Sequence, residues 1–97
     1  MKLLKEIENS FPILEELFEE SDIKKFIDCG YTNLVFYHFG LGTWIRNHLL
    51  KESDPLYWLF IASGISHRDD MSTLIIELFY LYIRAKYAGT LRPAGKN

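Results

Sequence analysis

The sequence predicts an all-α fold: one compact, single-domain bundle of five or six short helices over residues 1–88, followed by a flexible C-terminal tail over residues 89–97. Three observations predict it. Apolar residues recur at helical spacing along most of the chain. Helix-opening and helix-closing residues punctuate it at short intervals, with Asp54-Pro55 and Ser66…Asp69 as starts and Gly30 and Gly64 as stops. The one run that passes for a buried strand, Leu34–Phe39, has no second strand with turn signals to pair with, so a sheet is rejected.

At the N-terminus, Leu3, Leu4 and Ile7 share one face of a short helix that is expected to end near Asn9. Ser10-Phe11-Pro12 then reads as a break, with Pro12 in the first turn of a new helix. Ile13, Leu14, Leu17 and Phe18 line the inner face of that helix, and Glu15, Glu16, Glu19 and Glu20 the outer one. Ser21 or Asp22 can cap the next helix, with Ile23, Phe26 and Ile27 inward and Gly30 as its left-handed stop. Thr32 or Asn33 can cap a third segment. Leu34, Val35, Phe36, Tyr37 and Phe39 make it apolar nearly all round, which predicts a central position. Gly40 and Gly42 either stop this helix or let a continuous one press closely on a neighbour.

Asp54-Pro55 opens a helix through Leu56–Ile61 that Gly64 closes. Ser66 and Asp69 then have the form of a capping box, and Asp69 and Asp70 suit the positive end of the helix they open. That last helix turns Met71, Leu74, Ile75, Leu78, Phe79, Tyr82 and Ile83 inward, with Ile76, Tyr80, Leu81 and Tyr87 widening the arc. Arg84 and Lys86 suit its C-terminal end.

Ninety-seven residues suffice for one core with little in reserve. Hydrophobic residues make up 48% and include seven Phe, six Tyr and two Trp, which excludes disorder. It also leaves more large apolar side chains than a small core easily hides, a source of partner surfaces. Residues 1–30 carry four Lys against eight Asp or Glu, a balance of −4, while the remainder balances at +2. The acidic end suits basic partners and repels phosphate backbones, so nucleic acid is not an expected partner. The single Cys29 is read as a structural thiol in a reducing compartment. No leader pattern opens the chain and no apolar run approaches the ~18 residues of a membrane span, so a cytoplasmic protein without membrane association is expected.

The chemistry-bearing residues cluster in two stretches, Tyr37–Asn47 and Gly64–Ser72. His38, His48 and His67 lack metal-ligand spacing, and no metal or cofactor is expected. Gly40-x-Gly42 lacks the third glycine, the preceding strand and the lysine of a phosphate loop. Arg46 lies among Trp44, Ile45, Leu49 and Leu50, and a charge there needs a carboxylate; Asp69 or Asp70 is the expected partner in an interior pair that locks the two stretches together.

These two stretches, His38-Phe-Gly-Leu-Gly-Thr-Trp-Ile-Arg-Asn47 and Gly64-Ile-x-His-x-Asp-Asp-Met-Ser72, resemble a family of small bacterial domains of unknown function. The likeness covers roughly residues 34–86, and makes His38, Gly40, Gly42, Trp44, Arg46, Asn47, His67, Asp69 and Asp70 the family's structural motif. Relatives often carry a Trp- and Gly-rich loop after the Arg-Asn, where this chain has His48–Asp54. Proteins of this kind recur beside secreted bacterial toxins as immunity proteins. What the resemblance implies is therefore a non-catalytic protein-binding domain that neutralises a cognate toxin, such as a nuclease. Its acidic residues Glu15, Glu16, Glu19, Glu20 and Asp22 would meet a basic toxin surface. The alternative is a small enzyme or ligand-binding domain using His38, Arg46, His67 and Asp70.

Overall fold

The computed structural model describes residues 2–89 as five α-helices: α1 (Lys2–Glu15), α2 (Glu20–Cys29), α3 (Thr43–His48), α4 (Pro55–Ala62) and α5 (Arg68–Tyr87). A 3₁₀ segment (Tyr31–Tyr37) and a π turn (His38–Gly42) run without a break into α3. No strand occurs among the described residues, and none of their helices is long and apolar enough to cross a membrane. The predicted tail lies outside the described residues apart from Gly89.

α5 is the post on which the rest is hung. It buries Met71, Ser72, Ile75, Ile76, Phe79, Tyr80 and Ile83, a wide arc that can hold neighbours on two sides. The arc is rotated from the expected one: Ile76 and Tyr80 are core, Leu74, Leu78 and Tyr82 are half-buried, and Leu81 is exposed. One side of the arc carries Phe79, whose ring lies 5.7 Å from Phe11, 5.7 Å from Phe18 and 5.5 Å from Phe26. The other side carries Ile76, packed against the π turn at Gly42.

Pro12 does not divide the first helix. α1 passes through it, because Leu3, Ile7, Ser10, Phe11 and Leu14 form one continuous buried stripe. Keeping that stripe intact outweighs the roughly 3 kcal/mol an interior proline costs. Pro12 itself faces solvent near the end of the helix, where few turns remain to be disturbed. Ile13 and Leu17, expected inside, are exposed. α2 is capped two residues before the first expected cap: Glu19 is its N-cap, and the Glu19 N–H donates to the Asp22 carboxylate at 3.0 Å. Ile23 and Phe26 are buried as expected, and Gly30 (φ 84°, ψ 156°) ends α2 in a conformation only glycine adopts readily. Asp54 and Pro55 occupy the N-cap and first position of α4 as expected, but the Asp54 carboxylate accepts from the Lys51 N–H at 2.8 Å and not from the helix. Its end is a Schellman turn, with the Ile65 N–H on the Phe60 carbonyl, the Gly64 N–H on the Ile61 carbonyl and Gly64 at φ 91°.

The capping box expected at Ser66 and Asp69 is not formed. His67 is the N-cap of α5, and no side chain caps its first turn. Asp69 is drawn toward Arg46 instead. A neighbouring residue that the sequence reading passed over, Arg68, makes the tie at this corner. It donates to the Leu50 carbonyl at 2.7 Å and lies 4.5 Å from the centre of the Tyr57 ring.

A second tie fastens the end of α1 to the end of α5. The Glu15 side chain is 16% exposed and accepts hydrogen bonds from Lys86 (2.8 Å), Tyr82 (3.3 Å) and Tyr87. Burial by itself raises the Glu15 pKa, but the Lys86 and Tyr87 hydrogen bonds and the Lys86 charge outweigh it, and the net shift is downward. The Glu15 bond holds the Lys86 and Tyr87 pKa values up. A carboxylate with a depressed folded-state pKa contributes stability above its unfolded pKa, and that contribution disappears as pH falls through the folded value. Glu15→Gln should therefore cost about 1–3 kcal/mol near neutral pH. In urea unfolding the gap between variant and wild type should start to narrow as pH falls below the unfolded carboxylate value and vanish below the lower folded one.

Candidate functional site

The site begins with the way the chain leaves α2. Gly30 turns it sharply, the Asn33 side chain donates to the Cys29 carbonyl at 2.7 Å, and the 3₁₀ segment starts from the Asn33 N–H on the Gly30 carbonyl. Neither Thr32 nor Asn33 caps this segment. Wound tightly and then loosely, residues 31–42 reach the core through Leu34, with Tyr37 and Leu41 half-buried against it. The rest of their apolar side chains point away. Val35 is 63% exposed, Phe36 77% and Phe39 83%.

The segment expected at the centre of the bundle is thus on its surface. Its all-round hydrophobicity is real, but only one narrow face is covered. Phe36 and Phe39, three apart, and Val35 and Phe39, four apart, form one apolar ridge. No Lys, Arg, Asp or Glu occurs between Tyr31 and Ile45 to break it.

Gly42 explains how this segment is held. Of the two alternatives for the glycine pair, a continuous helical path pressed on a neighbour is the one realised, and it is realised at Gly42 alone. A Cβ there would lie 3.1 Å from Arg46 Nη1, 3.6 Å from Ile76 Cδ1 and 3.7 Å from His38 Nδ1, whereas one at Gly40 would meet open space. His38, Arg46 and α5 therefore converge on a single missing side chain.

Arg46 joins the two motif stretches as expected, but not through an interior ion pair. Its Nη1 donates to the buried Ser72 hydroxyl at 2.9 Å and its Nη2 to Thr43 at 3.0 Å. Asp69 lies 3.6 Å from Nε with its side chain 72% exposed, while that of Arg46 is 18% exposed. The carboxylate was expected inside because the flanking sequence is apolar. In the fold it projects from the first turn of α5 into solvent, and Ser72 takes the buried position.

The other candidates separate. Trp44 stacks on His48 at 4.3 Å, with His48 Nδ1 against the Trp44 carbonyl, and Asn47 is exposed. His67 and Asp70 stand exposed at the start of α5, and neither hydrogen-bonds to His38 or Arg46 among the described residues. The four-residue alternative set is thus only half assembled, by His38 and Arg46. No group of His, Cys, Asp and Glu among the described residues is arranged to hold a metal. Cys29 is half-buried, and burial followed by the nearby Asp28 charge pushes its thiol pKa up, away from a reactive thiolate.

His38 instead lines a cleft of about 310 Å³ between the 3₁₀ segment and α5, with Tyr31, Leu34, Val35, Thr73, Ile76 and Glu77 among its walls. Glu77 sits beside the Tyr31 phenol, and its negative charge raises that hydroxyl's pKa. On the other side of the segment, Tyr37 meets Leu17, Phe18, Asp22 and Lys25 in a shallow depression. Glu16, Glu19, Glu20 and Asp22 are exposed around the α1–α2 turn, but Glu15 is turned back onto α5. The ridge was missed because periodicity reports that a residue is apolar, not that a neighbour exists to cover it. The surplus of aromatics over core volume was the available signal.

A family model described as a domain of unknown function (DUF6794) matches residues 5–83, and the chain belongs to that family. The chain matches no curated protein and no solved structure.

Because the Asp69 carboxylate is solvated, removing Arg46 strands no buried charge. The Ser72 hydroxyl loses a donor but still donates its own proton to the Asp69 carbonyl at 3.1 Å. Arg46→Ala should cost about 1–2 kcal/mol, below the roughly 3–5 kcal/mol of a broken buried pair. Asp69→Ala should cost about 1 kcal/mol or less. Paired thermal melts check the ranking: equal, large losses would restore the interior pair.

Proposed function

Taking membership of that family as the premise, we propose that this chain is a non-catalytic protein-binding domain, and more concretely an immunity protein that binds and blocks a bacterial toxin. The observation that carries the reading is the uncovered ridge of Val35, Phe36 and Phe39, the three most exposed large apolar side chains among the described residues. Exposing two phenylalanine rings costs solubility and contributes nothing to folding, and aromatic anchors of this kind dominate the energetics of protein interfaces.

The acidic turn supplies the second element. Glu16, Glu19, Glu20 and Asp22 present a cluster of carboxylates with exposed Leu17 among them. Asp22 and Tyr37, the residue next to Phe36, line the same shallow depression, so the charged turn and the ridge-bearing segment adjoin. A partner with a basic, nucleic-acid-binding surface, such as a nuclease toxin, would be steered by the acids and anchored by the rings.

The test is capture of the protein encoded beside this chain, followed by kinetics with two variants. Reversing Glu16, Glu19, Glu20 and Asp22 to Lys should slow association by tenfold or more at low salt, with the difference shrinking as salt is raised. Phe36→Ser combined with Phe39→Ser should instead speed dissociation, with a loss of about 2 kcal/mol or more. Full affinity in both variants would remove this surface from the interface.

A further inference from the structure

The cleft beside the ridge has a composition of its own. Its floor is apolar, made by the buried Leu34 and Ile76, and Val35 forms both one wall and the start of the ridge. Tyr31, which packs 6.2 Å from Tyr80, adds an aromatic wall. Glu77 is the one carboxylate in the lining and no Lys or Arg lines it. Nearby cations are committed elsewhere: Arg46 to Ser72, Thr43 and Asp69, and Arg84 to the Tyr80 ring at 5.6 Å. Among the described residues Glu77 has no ion-pair partner. At about 310 Å³ the space lies at the small end of ligand pockets, enough for one long side chain.

A cleft with an apolar floor, an aromatic wall and a single carboxylate, its lining completed by Thr32, His38 and Thr73, fits a cation carried on an apolar stem. The stem packs on Leu34, Val35 and Ile76, while the charge meets Glu77 and the faces of Tyr31. We propose that this cleft receives one arginine side chain from the protein partner, with Val35, Phe36 and Phe39 as the apolar lip around it. A planar guanidinium suits the site better than an ammonium, because it can stack on Tyr31 while donating two hydrogen bonds to Glu77. This rests on the reading of the chain as a binding domain for a basic protein and adds the point at which that partner is gripped.

The cleft can be tested without the partner. ¹⁵N-labelled protein is titrated with N-acetyl-arginine N-methylamide and, separately, with the uncharged isostere N-acetyl-citrulline N-methylamide. The arginine probe should give saturable amide shifts confined to residues 31–38 and 73–77, and the citrulline probe none. Glu77→Gln should abolish the response to arginine while leaving the rest of the spectrum in place. Absence of saturable shifts in those residues, or an equal response to citrulline, overturns the proposal, and neither result depends on how Glu77→Gln folds. Since no partner is present, failure here leaves the binding role of the ridge intact, just as failure of capture leaves the cleft's preference for arginine intact.

Discussion

Everything in this fold depends on the contact of one ring, Phe79, with three rings from outside its own helix. Phe11 from α1, Phe18 from the α1–α2 turn and Phe26 from α2 all reach it, and Phe26 continues the cluster to Tyr37 and Tyr80. Three sequence-distant segments are thereby fixed on the middle of the longest helix by side chains that each bury a large area. A domain this short has only about 5–15 kcal/mol of net stability, so a cluster of this size is a large share of what holds it folded. The Glu15 ties to Lys86, Tyr82 and Tyr87 then close one end of the bundle, and Arg68 on Leu50 and Tyr57 closes the other.

With one side of α5 committed to that cluster, the other is left for the 3₁₀ segment and the π turn. The π turn lies close on Ile76 there, and a Cβ at Gly42 would stand 3.6 Å from Ile76 but only 3.1 Å from Arg46 Nη1, so the missing side chain leaves room for the guanidinium. The approach fixes which way residues 31–42 face. Leu34 is spent on the core, and Val35, Phe36 and Phe39 have nothing left to cover them. Exposed rings and a half-enclosed cleft are thus consequences of the same packing decision, which is why the surface proposed to bind a partner lies on the glycine-interrupted stretch and not on the more regular helices.

The helices were legible because each carries its own signal. The Asp54-Pro55 start, the Gly64 stop and the Gly30 turn are written in residue types with single physical meanings. Pro12 was misleading because local punctuation competes with a buried stripe that runs past it, and the stripe prevailed. The meeting of Arg46 with the start of α5 was legible from its apolar surroundings. Which of its neighbours would be buried was not, since Ser72 and Asp69 differ in depth only by their angle around α5. Least legible was the ridge, because Phe36 and Phe79 are the same residue type in similarly apolar runs. Only the tertiary arrangement makes one a hub and the other a surface.

That contrast between equal rings is the claim on which fold and function both turn, and thermal and urea unfolding of two variants measure it. Phe79→Ala should cost about 3–5 kcal/mol, enough to melt much of the population of so small a domain. The double variant Phe36→Ala with Phe39→Ala should stay within about 0.5 kcal/mol of the wild type. A double variant as damaged as Phe79→Ala would contradict the structure, for it would place the ridge in the core and leave the protein without the surface proposed to bind its partner.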